Sequence, residues 1–225
     1  MHISEGILPL KWAVVWYGVS VPFVARGIAS VKRRTRSAPE YKILMGMVAA
    51  VVFIISCLPV PVPTAGTCSH PCGTGLAAIL IGPIMTVFIT SIALLIQAIF
   101  LAHGGLSTLG ADIFSMGVVG AFSGWFVYRG LVKVKCPVLA AAFFAGVLSD
   151  WATYATTSLQ LALGLTSVGN FLPLFWSVLI AFIPTQLPLG ILEGAMSAGS
   201  LRFLLRRRPD IFDKLRNYRG LASRG

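Results

Sequence analysis

Six apolar runs limit what this chain can fold into: Trp12–Val31, Lys42–Val62, Leu76–Ala102, Ile113–Val132, Pro137–Leu163 and Phe171–Leu205. Most approach or exceed the ~20 residues that a helix needs to cross a hydrocarbon core about 30 Å thick. With 225 residues, 56% of them hydrophobic and only 11% charged, the chain has too little polar surface for a soluble domain. The expected fold class is an all-α polytopic membrane protein, one membrane domain over residues 1–225. The opening MHISEGILP lacks a basic n-region, carries Glu5 and precedes no small-residue cleavage site, so it does not read as a secretory signal. Met1 is expected to be the mature first residue, because methionine removal requires a small second residue and His2 is large.

The net charge of +11 would suit nucleic acid if it formed a patch, but it is confined to clusters flanking the apolar runs. Lys32, Arg33, Arg34, Arg36 and Lys42 form one cluster, Arg129, Lys133 and Lys135 a second, and the basic tail over 206–225 a third. Such clusters mark cytoplasmic loops, so nucleic-acid binding is not expected and a lipid bilayer is. Counting passes between clusters puts the N-terminus (1–11) and the loop 63–75 outside. An unbroken 76–102 helix would then leave Arg129, Lys133 and Lys135 outside as well. Gly82-Pro83 resolves the conflict, since proline removes an amide donor and clashes with the preceding turn. The loop 63–75 is then expected to insert into the bundle, followed by a short helix and a return pass. This gives seven crossings or partial crossings, N-terminus outside and C-terminus cytoplasmic. The rival layout keeps 76–102 whole and splits 171–206 at Pro184 or Pro188; charge placement favours the first.

Metal chemistry enters at residue 2. The α-amine of Met1 and the His2 main-chain nitrogen close a five-membered chelate ring, and that nitrogen with imidazole Nδ1 closes a six-membered one. Three nitrogens can thus lie in one plane, an arrangement suited to Ni²⁺, Cu²⁺ or low-spin Co²⁺ rather than tetrahedral Zn²⁺. His70, in PTAGTCSHPCGTG, falls on the same side of the membrane and supplies a fourth. Cys68 and Cys72 flank it, and this spacing leaves a soft Cys₂His site, a disulfide or simple packing open. His103, in HGGLSTLGAD, reads equally as a cap on an external turn or as a support to the metal ligands. Cys57 and Cys136 read as packing residues.

Asp150 and Glu193 lie within apolar runs, where ionisable residues are functional candidates; interhelical bonds to Gln97, Gln160 or Gln186 explain them equally well. Small residues four apart (Gly46/Ala50, Gly120/Gly124, Ala142/Gly146, Gly190/Gly194) permit close helix contact. Nothing in the chain matches a phosphate-binding G-x-x-x-x-G-K-[ST] loop, an H-E-x-x-H zinc motif or a Ser or Cys triad signature. The chain is therefore not expected to be an enzyme.

MHISEGILP, CSHPCGTGLAAILIGP, QAIFLAHGGLSTLGADIFSMGVVG and TQLPLGILEG together resemble the CbiM/NikM family, substrate-binding S components of energy-coupling factor (ECF) transporters for cobalt or nickel. The likeness runs over about residues 1–200. It implies a six-helix S-component core with one extra N-terminal helix, in the cell (inner) membrane. It implies Ni²⁺ or Co²⁺ as transported substrate, held by Met1, His2 and His70, and no cofactor; Cys68, Ser69 and His103 then become residues that support the ligands. Implied partners are a membrane T component, cytoplasmic ABC-type ATPases and a small accessory membrane subunit, with Gly46 and Ala50 as a docking face. Cys72 stands where the family usually carries Thr, which leaves a disulfide or an altered metal preference open. Two other readings remain: a stand-alone channel or proton-coupled carrier, with Asp150 and Glu193 as relay, and a membrane metal sensor.

Overall fold

The computed structural model describes residues 2–39, 41–58, 60–61, 67–166 and 170–207. Met1, part of the loop 63–75 and the tail beyond Arg207 lie outside these residues. Each apolar run forms helix. α1 spans Leu10–Ser37, α2 Tyr41–Ser56, α3 Thr74–Ile81, α4 Pro83–Phe100, α5 Leu109–Lys133, α6 Val138–Leu165 and α7 Phe171–Arg207. Five of them (α1, α4, α5, α6 and α7) are long and apolar enough to cross a membrane, and α2, with 16 residues, is shorter.

The break at Gly82-Pro83 is present. Gly82 adopts φ +92°, a backbone conformation that favours glycine, between the end of α3 and Pro83 at the start of α4. α7, by contrast, runs unbroken through Pro184 and Pro188, so the rival layout does not hold. Prolines are tolerated in such helices because neighbouring groups re-satisfy the freed backbone. α5 widens into π-helical turns over Ile113–Gly120, and there the Ser149 hydroxyl donates to the Gly120 carbonyl at 2.8 Å.

Many polar side chains are buried beside the apolar core, and many large apolar ones are exposed. Leu95, Ile99, Trp176, Ile180 and Ile191 are exposed, whereas Gln97, Asp112, Asp150, Gln160, Gln186 and Glu193 are buried. That inversion suits a hydrocarbon solvent, in which interior polar groups must satisfy one another. Gly146 and Gly194 let α6 and α7 touch, a Cβ on Gly146 falling 2.9 Å from the Gly194 Cα. Gly124 likewise admits Gly75 of α3 at 2.9 Å. Gly46 and Ala50 face outward instead, and a Cβ on Gly46 would meet nothing within 4 Å.

At one end of the bundle sits a small antiparallel sheet in the order β1-β3-β2, with β1 at His2–Ile3, β2 at Val60–Pro61 and β3 at Thr67–Ser69. α1 and α5 start near this sheet and run to basic ends, Arg34 with Arg36 and Lys133, while α7 passes the sheet at Thr185 and Gln186 and ends at Arg206 and Arg207.

Candidate metal centre

Strand pairing sets the site. In β1 and β3, His2 lies opposite Cys68 and Ile3 opposite Thr67, which brings residues 2 and 70 together across 68 positions. Ile3 is fully buried among Leu8, Trp16, Ala111, Tyr154, Leu161 and Phe182, and burying such a side chain contributes about 1.5–3 kcal/mol. Polar ties fix the same strand. The Ile3 amide donates to Asp112 Oδ1 at 2.9 Å, and Thr108 Oγ1 donates to the Ile3 carbonyl at 2.6 Å. The Ser107 amide donates to Glu5 Oε2 at 3.0 Å, and hydrogen bonding from Ser107 holds the Glu5 carboxyl below its ordinary value.

Gly104 and Gly105 make room for this strand. A Cβ on Gly104, at φ +83°, would fall 2.9 Å from His2 Cδ2, and one on Gly105 would fall 2.6 Å from Glu5 Cα. Side chains in this HGG turn would push the N-terminal segment off the bundle.

Three imidazoles then converge. The His2 and His70 ring centroids are 4.5 Å apart, His2 and His103 4.3 Å, and His70 and His103 5.3 Å. Ligand atoms of His2, Cys68, His70 and His103 all lie within 4.8 Å of one another. The hydrogen bonds orient two of these rings. His2 Nε2–H donates to Gln97 Oε1 at 2.7 Å, while Gln97 Nε2 donates to Ser56 Oγ at 2.7 Å, so the amide cannot usefully turn over. His70 Nδ1–H donates to the Pro71 carbonyl at 3.0 Å. The remaining nitrogens, His2 Nδ1 and His70 Nε2, face each other at 2.7 Å.

Burial pushes the His103 imidazole down to about 4 and holds His70 well below the ordinary histidine value. Both rings are neutral near pH 7 and have lone pairs to give. Burial also raises the Cys68 thiol, and its sulfur lies 3.1 Å from His103 Nε2.

Several sequence expectations change. His103 is packed against His2 and His70, closer than a turn cap would be, because the left-handed Gly104 folds the α4–α5 turn back over β1. Ser69 does not support the histidines. Side chains alternate along β3, so Ser69 turns to α7, where Gln186 Nε2 donates to its hydroxyl at 2.6 Å and Thr185 Oγ1 lies at 3.1 Å. Cys68 and Cys72 are both free thiols and belong to different clusters, which excludes a disulfide between them in this structure. Glu193 bonds none of the three glutamines; it accepts the amides of Cys72 at 2.6 Å and Gly73 at 3.0 Å and so holds the start of α3. Gln97 is the residue that sequence reasoning assigned to the wrong task. Its position in an apolar run was the available signal, but only the fold aims it at His2.

The sequence model of the family described as "Cobalt uptake substrate-specific transmembrane region", CbiM, matches residues 2–211. A cobalt transport protein CbiM of Sorangium cellulosum is 60% identical over 215 residues, covering 96% of each chain. One of Geobacter sulfurreducens is 61% identical over 215 residues, covering 96% of this chain, which spans 62% of that longer relative. A crystal structure described as a truncated transition metal transporter superposes with a TM-score of 0.81 at 27% identity, covering 92% of this chain and 99% of that one.

Proposed function

The chain belongs to the CbiM family and is a multi-pass membrane protein, and on that premise we propose that it binds Co²⁺ or Ni²⁺ outside the cell membrane and carries it inward as the substrate-specific subunit of an ATP-driven transporter. The observation that carries this reading is the facing pair His2 Nδ1 and His70 Nε2, 2.7 Å apart with their outer nitrogens engaged as donors. Two nitrogens at right angles about one ion, each at about 2.0–2.1 Å, are separated by about 2.9 Å. The pair thus already stands at the spacing of adjacent corners of a square plane. The Met1 amine and the His2 main-chain nitrogen supply the other two corners. Such a plane suits Ni²⁺ and low-spin Co²⁺, and the cobalt transport proteins among its relatives favour Co²⁺ as cargo.

A second coordination follows from the clustering of His2, Cys68, His70 and His103: a tetrahedral site of three imidazoles and one sulfur, with no part for the amine. The two differ in whether the N-terminus is a ligand, and lengthening the chain before Met1 separates them.

The transport direction rests on charge. The sheet lies at the opposite end of α1 and α5 from their basic residues, and α7 passes it at Thr185 and Gln186 before reaching its own; by the positive-inside rule the basic ends face the cytoplasm. The helices α1 to α7 then make seven full or partial crossings, with the N-terminus outside and the C-terminus inside. Energy comes from partners: a membrane T component, cytoplasmic ABC-type ATPases and a small accessory subunit. The outward face at Gly46 and Ala50 is open for docking.

Two measurements test this. His70→Ala is expected to abolish high-affinity Co²⁺ and Ni²⁺ binding by the purified chain. In vesicles, uptake is expected only when the partner subunits and ATP are present. Uptake by the chain alone would establish a channel or carrier instead, and signalling without uptake a sensor.

A further inference from the structure

A second cluster of ligating side chains lies beside the histidine centre. Ligand atoms of Cys72, Asp150 and Glu193 fall within 4.8 Å of one another, and all three residues are buried. Cys72 Sγ lies 3.9 Å from Asp150 Oδ1. Trp151, next to Asp150 on α6, donates its indole N–H to the Gln186 carbonyl at 3.1 Å, and Gln186 also bonds Ser69 of β3, so the cluster lies against the sheet.

A structural role accounts for Glu193 alone. Its two oxygens accept the amides of Cys72 and Gly73 at the start of α3 and also that of Gly75, which leaves it one lone pair. Asp150 has no such role. It is 2% exposed, and its Oδ2 has no hydrogen-bond partner. No lysine or arginine among the described residues is buried; the positive charge that acts on the two carboxylates is the N-terminal ammonium, which loses that charge when the amine binds the first ion. Adjacent buried carboxylates require either a proton between them or a bound cation. Without a metal the Cys72 thiol donates to Asp150 Oδ1 and to the His70 carbonyl, both at 3.9 Å; a metal ion would displace that proton and take all three groups, including the Asp150 Oδ2 that has no partner.

We propose that Cys72, Asp150 and Glu193 form a second divalent-metal site of one sulfur and two carboxylates, which receives the ion after it leaves the histidine centre. A mixed sulfur and oxygen set suits a d-block cation of intermediate softness, Co²⁺ or Zn²⁺. Metal–sulfur and metal–oxygen distances of about 2.3 and 2.0–2.2 Å span the observed 3.9 Å with only a small closure. Cys72 lies two residues beyond His70 on the same loop, with its sulfur 3.9 Å from the His70 carbonyl. An ion released from one cluster therefore has the other beside it.

The test is a Co²⁺ titration of the purified full chain, read by stoichiometry and by the near-ultraviolet sulfur-to-cobalt charge-transfer band. The expected result is two ions per chain, with a band that Cys72→Ser removes and Cys68→Ser retains. His2→Ala is expected to leave one ion and the Cys72-dependent band, so loss of the histidine centre and loss of this site give different results. Asp150→Asn, close in shape to a protonated aspartate, is expected to keep the fold and drop the stoichiometry to one. A single ion per wild-type chain with no Cys72-dependent band would overturn the proposal and leave a proton as the occupant.

Discussion

Gln97→Leu should weaken metal binding while barely disturbing the metal-free protein. In the proposed metal-bound state His2 uses Nδ1 as ligand, so the proton resides on Nε2, where Gln97 Oε1 accepts it at 2.7 Å. Without that acceptor the buried N–H is orphaned, at a cost of about 1–3 kcal/mol. The metal-free chain escapes the cost, because His2 can move its proton to Nδ1 and donate to His70 Nε2. The penalty therefore falls on binding, as a loss of about 5- to 150-fold in affinity at 1.4 kcal/mol per decade. Loss of a support to a metal-bound histidine typically costs 10–100-fold. Gln97→Glu keeps an acceptor and is expected to bind at least as tightly as wild type. Calorimetric titration of Co²⁺ and Ni²⁺ in detergent, with a competing chelator, measures both. Affinity of Gln97→Leu within twofold of wild type, with an unchanged melting temperature, would refute the reasoning.

Binding should strengthen as pH rises, with a slope set by the N-terminus. His70 and His103 are neutral near pH 7 because burial lowers both, His103 to about 4; they therefore contribute to proton competition only in acid, as pH falls toward those lowered values. In the proposed square plane the amine, ordinarily titrating near 7.7–8.0, and the His2 amide each give up a proton to the ion. The logarithm of affinity is thus expected to rise by about two per pH unit below ~7.7 and about one above it, and a slope near zero would contradict amine and amide ligation. Gly105→Ala places a Cβ 2.6 Å from Glu5 Cα and is expected to cost about 1–3 kcal/mol and to weaken metal binding more than tenfold (~1.4 kcal/mol), measured by thermal melting and titration. Gly18→Ala, whose Cβ meets nothing within 4 Å on α1, should be neutral or stabilising by up to about 1 kcal/mol.

The bundle was legible in the sequence where one physical signal acted alone. Apolar runs located the helices, and Gly82-Pro83 located the break that sends the chain back. Helix ends were less legible. α1 continues past Val31 to Ser37 because its arginines and lysines are good helix formers once solvated. α2 stops at Ser56, short of the apolar run's end at Val62, just before the prolines at 59, 61 and 63. In the site, residues 2 and 70 could be paired by chelate chemistry and topology. The companionship of His103, the bond from Gln97 and the anchoring of Ile3 by Asp112 depend on contacts across 95 to 109 positions, which local pattern does not encode. Ser69 illustrates the opposite error: its nearness in sequence to His70 suggested a shared role, but strand alternation turned it to α7.

In the proposed square plane the Met1 amine is itself a metal ligand. Adding one residue before Met1 moves the amine out of the five-membered ring while leaving His2, Cys68, His70 and His103 in place. Titration of Ni²⁺ and Co²⁺ into the extended and native chains compares the two coordinations directly. High-affinity binding is expected to be lost with the fold intact. Unchanged affinity would contradict amine ligation and assign the ion to the three imidazoles and the Cys68 sulfur.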